Sequence, residues 1–123
     1  MADNISASCT VMVVDDEPDV RHLLRVTLES AGYGVVEAAH GEAALESVRR
    51  SPPQIVLTDR MMPRMSGGEL IERLRADEST KAIPIVLISA TRGVQPGADA
   101  VVRKPFDPNE LIVLVDRLTG TER

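Results

Sequence analysis

The chain has 123 residues and a formal net charge of −5, with 43% hydrophobic and 27% charged residues. This length supports one domain around a single core, and the composition is typical of folded proteins. Only Tyr33 and Phe106 are aromatic and no lysine or arginine run occurs, which argues against binding to nucleic acid. One cysteine, no secretory pattern and no apolar run near the roughly 18 residues of a membrane span predict a cytoplasmic domain without membrane contact.

Five short apolar runs, rich in β-branched residues, recur along the chain. Their side chains are nearly all apolar instead of alternating with polar ones, which favours strands of a parallel sheet covered on both faces. We therefore predict five buried strands, at Thr10–Val14, Gly34–Ala38, Ile55–Thr58, Ile83–Ser89 and Ala100–Arg103.

Amphipathic segments lie between most of these runs, with apolar residues at the spacing of one helix face. Gly32 is a natural residue to follow the first such helix, and Asp107-Pro108 supplies an N-cap and a first-turn proline for the last one. Strands that alternate with helices are typical of right-handed βαβ units, so we predict a doubly wound α/β fold. The predicted helices are Pro18–Ala31, Glu42–Arg50, Gly67–Ala76 and a last helix that ends at Gly120.

The connection between the fourth and fifth runs departs from this pattern. Only six residues, Thr91–Pro96, are available there for a helix. Gly93 and Pro96 both oppose helix, and six residues would give about 9 Å of it, less than two turns. We predict that the fourth helix is short or absent.

Polar side chains stand where the predicted strands end. Asp15 and Asp16 follow the first strand, Asp59 the third, Ser89 ends the fourth and Lys104 follows the fifth. The carboxyl ends of parallel strands meet at one edge of a sheet, where ligands bind. Carboxylates a few ångströms apart repel by about 4 kcal/mol per close pair at an effective dielectric constant near 20, so they need a cation. A set of oxygen ligands favours a hard ion such as Mg²⁺.

Four segments together resemble the receiver domain of two-component response regulators, the CheY-like proteins. They read VVDDEPDVRHLL, IVLTDRMMPRMSG, VLISA and GADAVVRKPFD, and they extend in this order over about residues 10–118. The resemblance implies a flavodoxin-like sheet of five parallel strands in the order 2-1-3-4-5. It also implies a receiver domain at 10–120, between an N-terminal tail at 1–9 and a C-terminal tail at 121–123.

The resemblance further implies that Asp59 accepts a phosphoryl group from a histidine kinase or a histidine phosphotransfer protein. Asp16, Asp59 and the backbone carbonyl of Met61 would then bind Mg²⁺ directly, and Asp15 partly through metal-bound water. Such a domain signals to a downstream protein target. It is not an enzyme in the ordinary sense, although it assists its own phosphorylation and dephosphorylation.

Two further residues take roles from the same resemblance. Ser89 would donate a hydrogen bond to one phosphoryl oxygen and Lys104 would pair with another. The Lys104–Pro105 bond is expected to be cis, since the family uses that kink to aim the lysine. These interactions assist phosphoryl transfer by positioning and charge neutralisation.

The sequence bears on three other kinds of function. A phosphatase of the haloacid dehalogenase type has a second aspartate two residues after its nucleophile, where this chain has Met61. A nucleotide-binding fold needs a glycine-rich phosphate loop, and neither GxGxxG nor GxxxxGK[ST] occurs. A receiver-like interaction module that works independently of phosphorylation stays open as an alternative, and so does an aspartyl-nucleophile phosphatase.

Two departures from the family concern how the signal leaves the site. The position three residues before the lysine, usually Tyr or Phe, is Val101 here, and the fourth helix is shortened. A missing helix should expose an apolar patch, which usually marks an interface. We expect this patch to bind a partner or to form a two-fold homodimer. It would comprise Ile85, Val86, Leu87, Ile88, Val101 and Val102, together with Ile112 and Val113 of the last helix.

Overall fold

The computed structural model describes residues 9–123, in which five strands form one parallel sheet of order β2-β1-β3-β4-β5. The predicted doubly wound fold and strand order are confirmed. Residues 1–8 of the predicted N-terminal tail lie outside the described residues. The strands are β1 (Thr10–Val14), β2 (Gly34–Ala38), β3 (Ile55–Asp59), β4 (Ile85–Ser89) and β5 (Ala100–Arg103). The helices are α1 (Pro18–Ser30), α2 (Gly41–Arg50), α3 (Gly67–Ala76) and α4 (Pro108–Thr119).

Two of the predicted strand ends differ from the structure. β3 continues one residue further than expected, to Asp59, and β4 begins two residues later, at Ile85. Pro84 has no N–H to donate to a sheet ladder, which explains why β4 starts after it. The backbone carbonyl of Pro84 still accepts from Val56, at 3.0 Å.

Helix ends follow the local sequence. Ser66 and Glu69 form a capping box at the start of α3, and the Asp107 carboxylate accepts from two backbone N–H groups at the start of α4. Gly32 and Gly120, which follow α1 and α4, have φ values of 96° and 74°, where only glycine is unstrained. None of the described helices combines the length and the hydropathy that a membrane crossing requires.

Two apolar cores lie on opposite faces of the sheet, because alternate residues of each central strand point to opposite sides. One core contains Met12, Val56 and Leu87 under α2 and α3. The other contains Val13, Leu57 and Ile88 under α1 and α4. Burial on both faces accounts for the nearly continuous apolar sequence of the strands, and it leaves their polar ends as the place where charge can gather.

The connection between β4 and β5 contains no helix within the described part of the chain, as predicted. Arg75 of α3 holds this connection through hydrogen bonds to the carbonyl oxygen of Gly97 and to the carboxylate of Asp99, each at 2.8 Å. Gly97 has a φ of 88°, and a Cβ placed on it would lie 2.8 Å from Ile71. The segment therefore packs directly against α3.

The prediction that a missing helix exposes β4 is wrong. Ile85, Val86, Leu87 and Ile88 are all at most 1% exposed. β4 lies inside the sheet, with α3 over one face and α4 over the other, so the absent helix exposes only part of the edge strand. What remains of the expected patch is Val101, Val113 and, half-buried, Val102 and Ile112.

The start of α3 generates a stability prediction. A Cβ on Gly67 would lie 2.2 Å from the carbonyl oxygen of Asp59, whereas a Cβ on Gly68 would meet only the flexible side chain of Gln95 at 3.1 Å. We expect Gly67→Ala to lower the free energy of unfolding by about 1–3 kcal/mol, as overpacking does, because the backbone at Asp59 must shift. Gly68→Ala, the matched control, should stay within about 0.5 kcal/mol. Equal effects in urea denaturation would contradict this close approach.

Candidate functional site

Three carboxylates meet at the carboxyl edge of the sheet, as the sequence predicted. β1 leads into Asp15 and Asp16, and the neighbouring strand β3 ends on Asp59. One oxygen from each of the three lies within 4.8 Å of the others. Asp15 and Asp59 are buried and Asp16 is exposed. The cluster is therefore open to solvent on the Asp16 side, where a small ion or a phosphoryl group can approach.

Lys104 is the cation that meets this cluster. Its Nζ lies 2.9 Å from Oδ1 of Asp59 and 3.5 Å from Oδ2 of Asp15. The backbone N–H of Lys104 donates to the carbonyl oxygen of Ser89 at 2.8 Å, and the Lys104–Pro105 bond is cis, as expected. The lysine is thus held at the end of β5 with its ammonium between two carboxylates.

Burial and charge shift the pKa values of this cluster. Burial raises the pKa of the Asp15 carboxyl, and the charge of Asp59 adds to the rise, while the Glu17 backbone N–H and Lys104 oppose it. Burial acts to lower the pKa of Lys104, but the hydrogen bond to Asp59 and the negative charges of both aspartates raise it above its ordinary value. Lys104 therefore stays charged, and the buried Asp15 carboxylate destabilises the fold at neutral pH.

The carboxylates fit a divalent cation. Around Mg²⁺, with a usual metal–oxygen distance of about 2.1 Å, neighbouring ligands are roughly 3.0 Å apart and opposite ligands roughly 4.2 Å apart, and the three carboxylate oxygens all lie within 4.8 Å of one another. All three donors are hard oxygen atoms. Met61 is 76% exposed, so its side chain takes no part in the core.

Ser89 ends β4 beside the cluster, but its hydroxyl is engaged by neighbours that the sequence did not single out. Ser89 Oγ accepts from Nε of Arg60 at 2.8 Å and from the backbone N–H of Thr91 at 3.1 Å. The sequence holds one signal for this contact: Arg60 directly follows Asp59, which places a cation next to the carboxylate. His40 caps α2 and Cys9 packs against the core under α1 and α4, so neither belongs to the cluster.

Comparisons with known proteins agree with this geometry. The family model described as "Response regulator receiver domain" matches residues 11–116. The phosphate regulon transcriptional regulatory protein PhoB of Pseudomonas aeruginosa is 39% identical over 110 residues, which cover 84% of this chain and 48% of that protein. The chain spans about half, or less, of the length of the first curated relatives that it matches.

Solved structures are similar over nearly their whole length. The crystal structure of a putative response regulator from Chloroflexus aurantiacus has a TM-score of 0.86 at 32% identity, covering 91% of this chain and 98% of that one. The receiver domain of a sensor histidine kinase from Pseudomonas aeruginosa, with a magnesium ion coordinated in its active-site cleft, has a TM-score of 0.86 at 28% identity, covering 93% and 99%.

The raised pKa of Asp15 generates a prediction about stability and pH. Without added metal, Asp15→Asn should raise the free energy of unfolding at pH 7 by about 1–2 kcal/mol, because two charges 5 Å apart repel by roughly 3 kcal/mol before solvent relaxes. The destabilisation by Asp15 is fully present above its folded-state pKa and absent below its ordinary value of 3.8. The difference between variant and wild type should therefore close as the pH falls below that value.

Urea denaturation at several pH values measures this difference. Asp16→Asn is the matched control and should have the smaller effect, because Asp16 is exposed and its charge is already solvated. If Asp15→Asn were less stable than wild type at pH 7, Asp15 would stabilise the fold as a carboxylate. Wild type would then lose stability relative to the variant as the pH falls, the opposite of what we expect.

Proposed function

Because the chain belongs to the response regulator receiver domain family, which works in phosphorylation-based signalling, we propose that Asp59 is its phosphoacceptor. The observation that carries this proposal is the position of Asp59 beside the Lys104 ammonium and close to two further carboxylates, at the open edge of the sheet. The lysine lies nearer to Asp59, at 2.9 Å, than to Asp15, at 3.5 Å. A phosphoryl group on it would have a cation ready beside it.

The transfer can be written from these residues. One carboxylate oxygen of Asp59 attacks phosphorus and forms a P–O bond, while the P–N bond to the donor imidazole breaks and its electron pair stays on the imidazole nitrogen. Lys104 pairs with one phosphoryl oxygen and the hydroxyl of Ser89 donates to another, which holds the group in place. The same positioning lets the domain assist its own phosphorylation and later hydrolysis of the acyl phosphate.

The proposed metal is Mg²⁺, which when bound would offset the negative charge that gathers on the phosphoryl oxygens. Asp16, Asp59 and the backbone carbonyl of Met61 would hold it directly, and Asp15 partly through water. The spacing of the three carboxylates supports this set. So does the repulsion among them, since a divalent cation offsets charges that Lys104 alone leaves in excess.

Receiver domains interact with histidine kinases and with downstream targets. For this chain we propose a histidine kinase or a histidine phosphotransfer protein as phosphodonor, a cytoplasmic location and a protein target whose binding depends on phosphorylation. The face formed by β5 and α4 is the proposed interface with that target or with a second copy of the chain. Val101 and Val113 are apolar yet 36% and 62% exposed there, which supports a contact surface.

Phosphorylation of Asp59 is tested with a small phosphodonor. We expect one phosphoryl group per chain by intact mass in the presence of Mg²⁺, and none for Asp59→Asn, because the nucleophile is lost. Lys104→Met should slow labelling by about 10²-fold or more, as removal of a charge-stabilising donor does elsewhere. Asp19→Asn, an exposed first-turn carboxylate of α1, is the matched control and should label as wild type does.

Labelling of Asp59→Asn at the wild-type rate would overturn the assignment of the phosphoacceptor. A wild-type protein that takes no phosphoryl group from any donor, yet binds partners, would instead support the alternative of an interaction module that works independently of phosphorylation.

The proposed interface is tested by Val113→Lys. If phosphorylated wild type forms dimers through β5 and α4, the lysine should weaken dimerisation by about tenfold or more, since it places a charge in a desolvated contact. Light scattering over a concentration series measures this in both phosphorylation states. Leu23→Lys is the control, because Leu23 of α1 is similarly exposed, at 51%, and lies on a different helix. A strict monomer in both states, with partner binding unchanged in Val113→Lys, would refute the interface.

A further inference from the structure

Arg60 lies beside the hydroxyl of Ser89, next to the carboxylate cluster but not part of it. Residues alternate between the two faces of a sheet, so Arg60, directly after Asp59, points to the opposite face, the one that Ser89 shares. Its backbone N–H extends the ladder with β4 by donating to Ile88, at 3.0 Å. Its side chain then runs alongside the end of β4, where Nε donates to Ser89 Oγ at 2.8 Å.

The hydrogen bonds at Ser89 decide which way its hydroxyl points. A serine oxygen has two acceptor positions and one hydrogen to donate. Both acceptor positions are filled by N–H donors, from Arg60 and from the Thr91 backbone. The third contact, to Thr91 Oγ1 at 3.1 Å, therefore uses the hydrogen of Ser89. Arg60 thus keeps Ser89 as a donor, which is the role that a phosphoryl oxygen on Asp59 requires of it.

The guanidinium also reaches the connection between β4 and β5. Nη2 of Arg60 donates to the carbonyl oxygen of Gly93 at 3.4 Å, in the exposed segment of residues 90–96 that has no helix. Gln95 of this segment lies over Gly68, at the start of α3. One planar cation therefore joins the end of β3, the hydroxyl at the end of β4 and the segment that follows it.

We infer that Arg60 is a positioning residue that couples the phosphoryl group on Asp59 to the conformation of residues 90–96. When the Ser89 hydroxyl hydrogen turns from Thr91 to a phosphoryl oxygen, the hydrogen bond to Thr91 is lost. The guanidinium of Arg60 then readjusts its hydrogen bonds to Ser89 Oγ and to the Gly93 carbonyl oxygen. The segment that Arg60 holds then changes its backbone hydrogen bonding. This inference rests on the proposed function of Asp59, and it gives the chain a relay that does not use the position of Val101.

The experiment compares Arg60→Met, which keeps a long unbranched side chain but removes both donors, with wild type and with Arg64→Met. Arg64 is an exposed cation of the same loop, so its variant removes an equal charge from the same region. Circular dichroism confirms folding of each protein. Labelling of Asp59 by a small phosphodonor is followed by intact mass, and amide hydrogen exchange of residues 91–95 is measured before and after phosphorylation.

In wild type and Arg64→Met we expect phosphorylation to change exchange in this segment by about threefold or more, as local opening equilibria of loops allow. In Arg60→Met, the amide hydrogens of residues 91–95 should exchange at the same rate before and after phosphorylation. Labelling of this variant should slow by about three- to tenfold, less than the 10²–10³-fold of a lost oxyanion donor, because Ser89 itself remains. If Arg60→Met fails to fold, Arg60→Lys serves instead: its ammonium keeps the charge but cannot bridge two acceptors as a planar fork does, so labelling should stay near wild type while the segment no longer responds.

The outcomes separate this inference from the proposed function. Wild type that takes no phosphoryl group on Asp59 overturns both. Phosphorylated wild type with unchanged exchange at residues 91–95 overturns the inference alone, and so does an Arg60 variant whose segment responds as wild type does. Equal loss of response in Arg64→Met would show that the local charge, and not the fork of Arg60, carries the effect, and would also refute it.

Discussion

The ion pair between Lys104 and Asp59 is the interaction on which the rest of the site depends. Burying or crowding carboxylates is unfavourable unless a cation meets them. Here the ammonium lies 2.9 Å from Asp59 and 3.5 Å from Asp15, and a backbone hydrogen bond to the end of β4 holds the lysine in place. The pair therefore joins three strands at one edge. It also leaves an excess of negative charge that a divalent cation would offset.

The tight packing behind this edge limits how the site can move. α3 begins against the backbone of Asp59, since only a hydrogen at Gly67 fits beside that carbonyl oxygen. The start of α3 therefore has no room to shift when the charge at Asp59 changes. The connection between β4 and β5 has fewer constraints, because it is exposed and contains no helix in the described chain. Movement in response to a phosphoryl group is expected there.

That connection also shows how a fold can lose a helix without exposing its core. Arg75 binds the carbonyl oxygens of Lys81, Ile83 and Gly97 as well as the Asp99 carboxylate. One guanidinium thus fixes the polypeptide on both sides of β4 against α3. The apolar residues of β4 stay covered, while Val101 of the edge strand and Val113 on the outer side of α4 are exposed.

Local patterns in the sequence were enough to predict the five strands, the four helices and the gathering of Asp15, Asp16, Asp59 and Lys104. Apolar runs and helix caps are local signals, and parallel strands bring their polar ends together. Contacts between residues distant in the chain became visible only in the folded structure. The strand β4 proved buried because α3 and α4 both cover it, and Ser89 proved to be held by Arg60, whose direction follows from the register of β3 and β4. Side-chain contacts across strands depend on that register, and the apolar pattern leaves it open because both faces of these strands are apolar, so a one-residue slip still buries apolar residues.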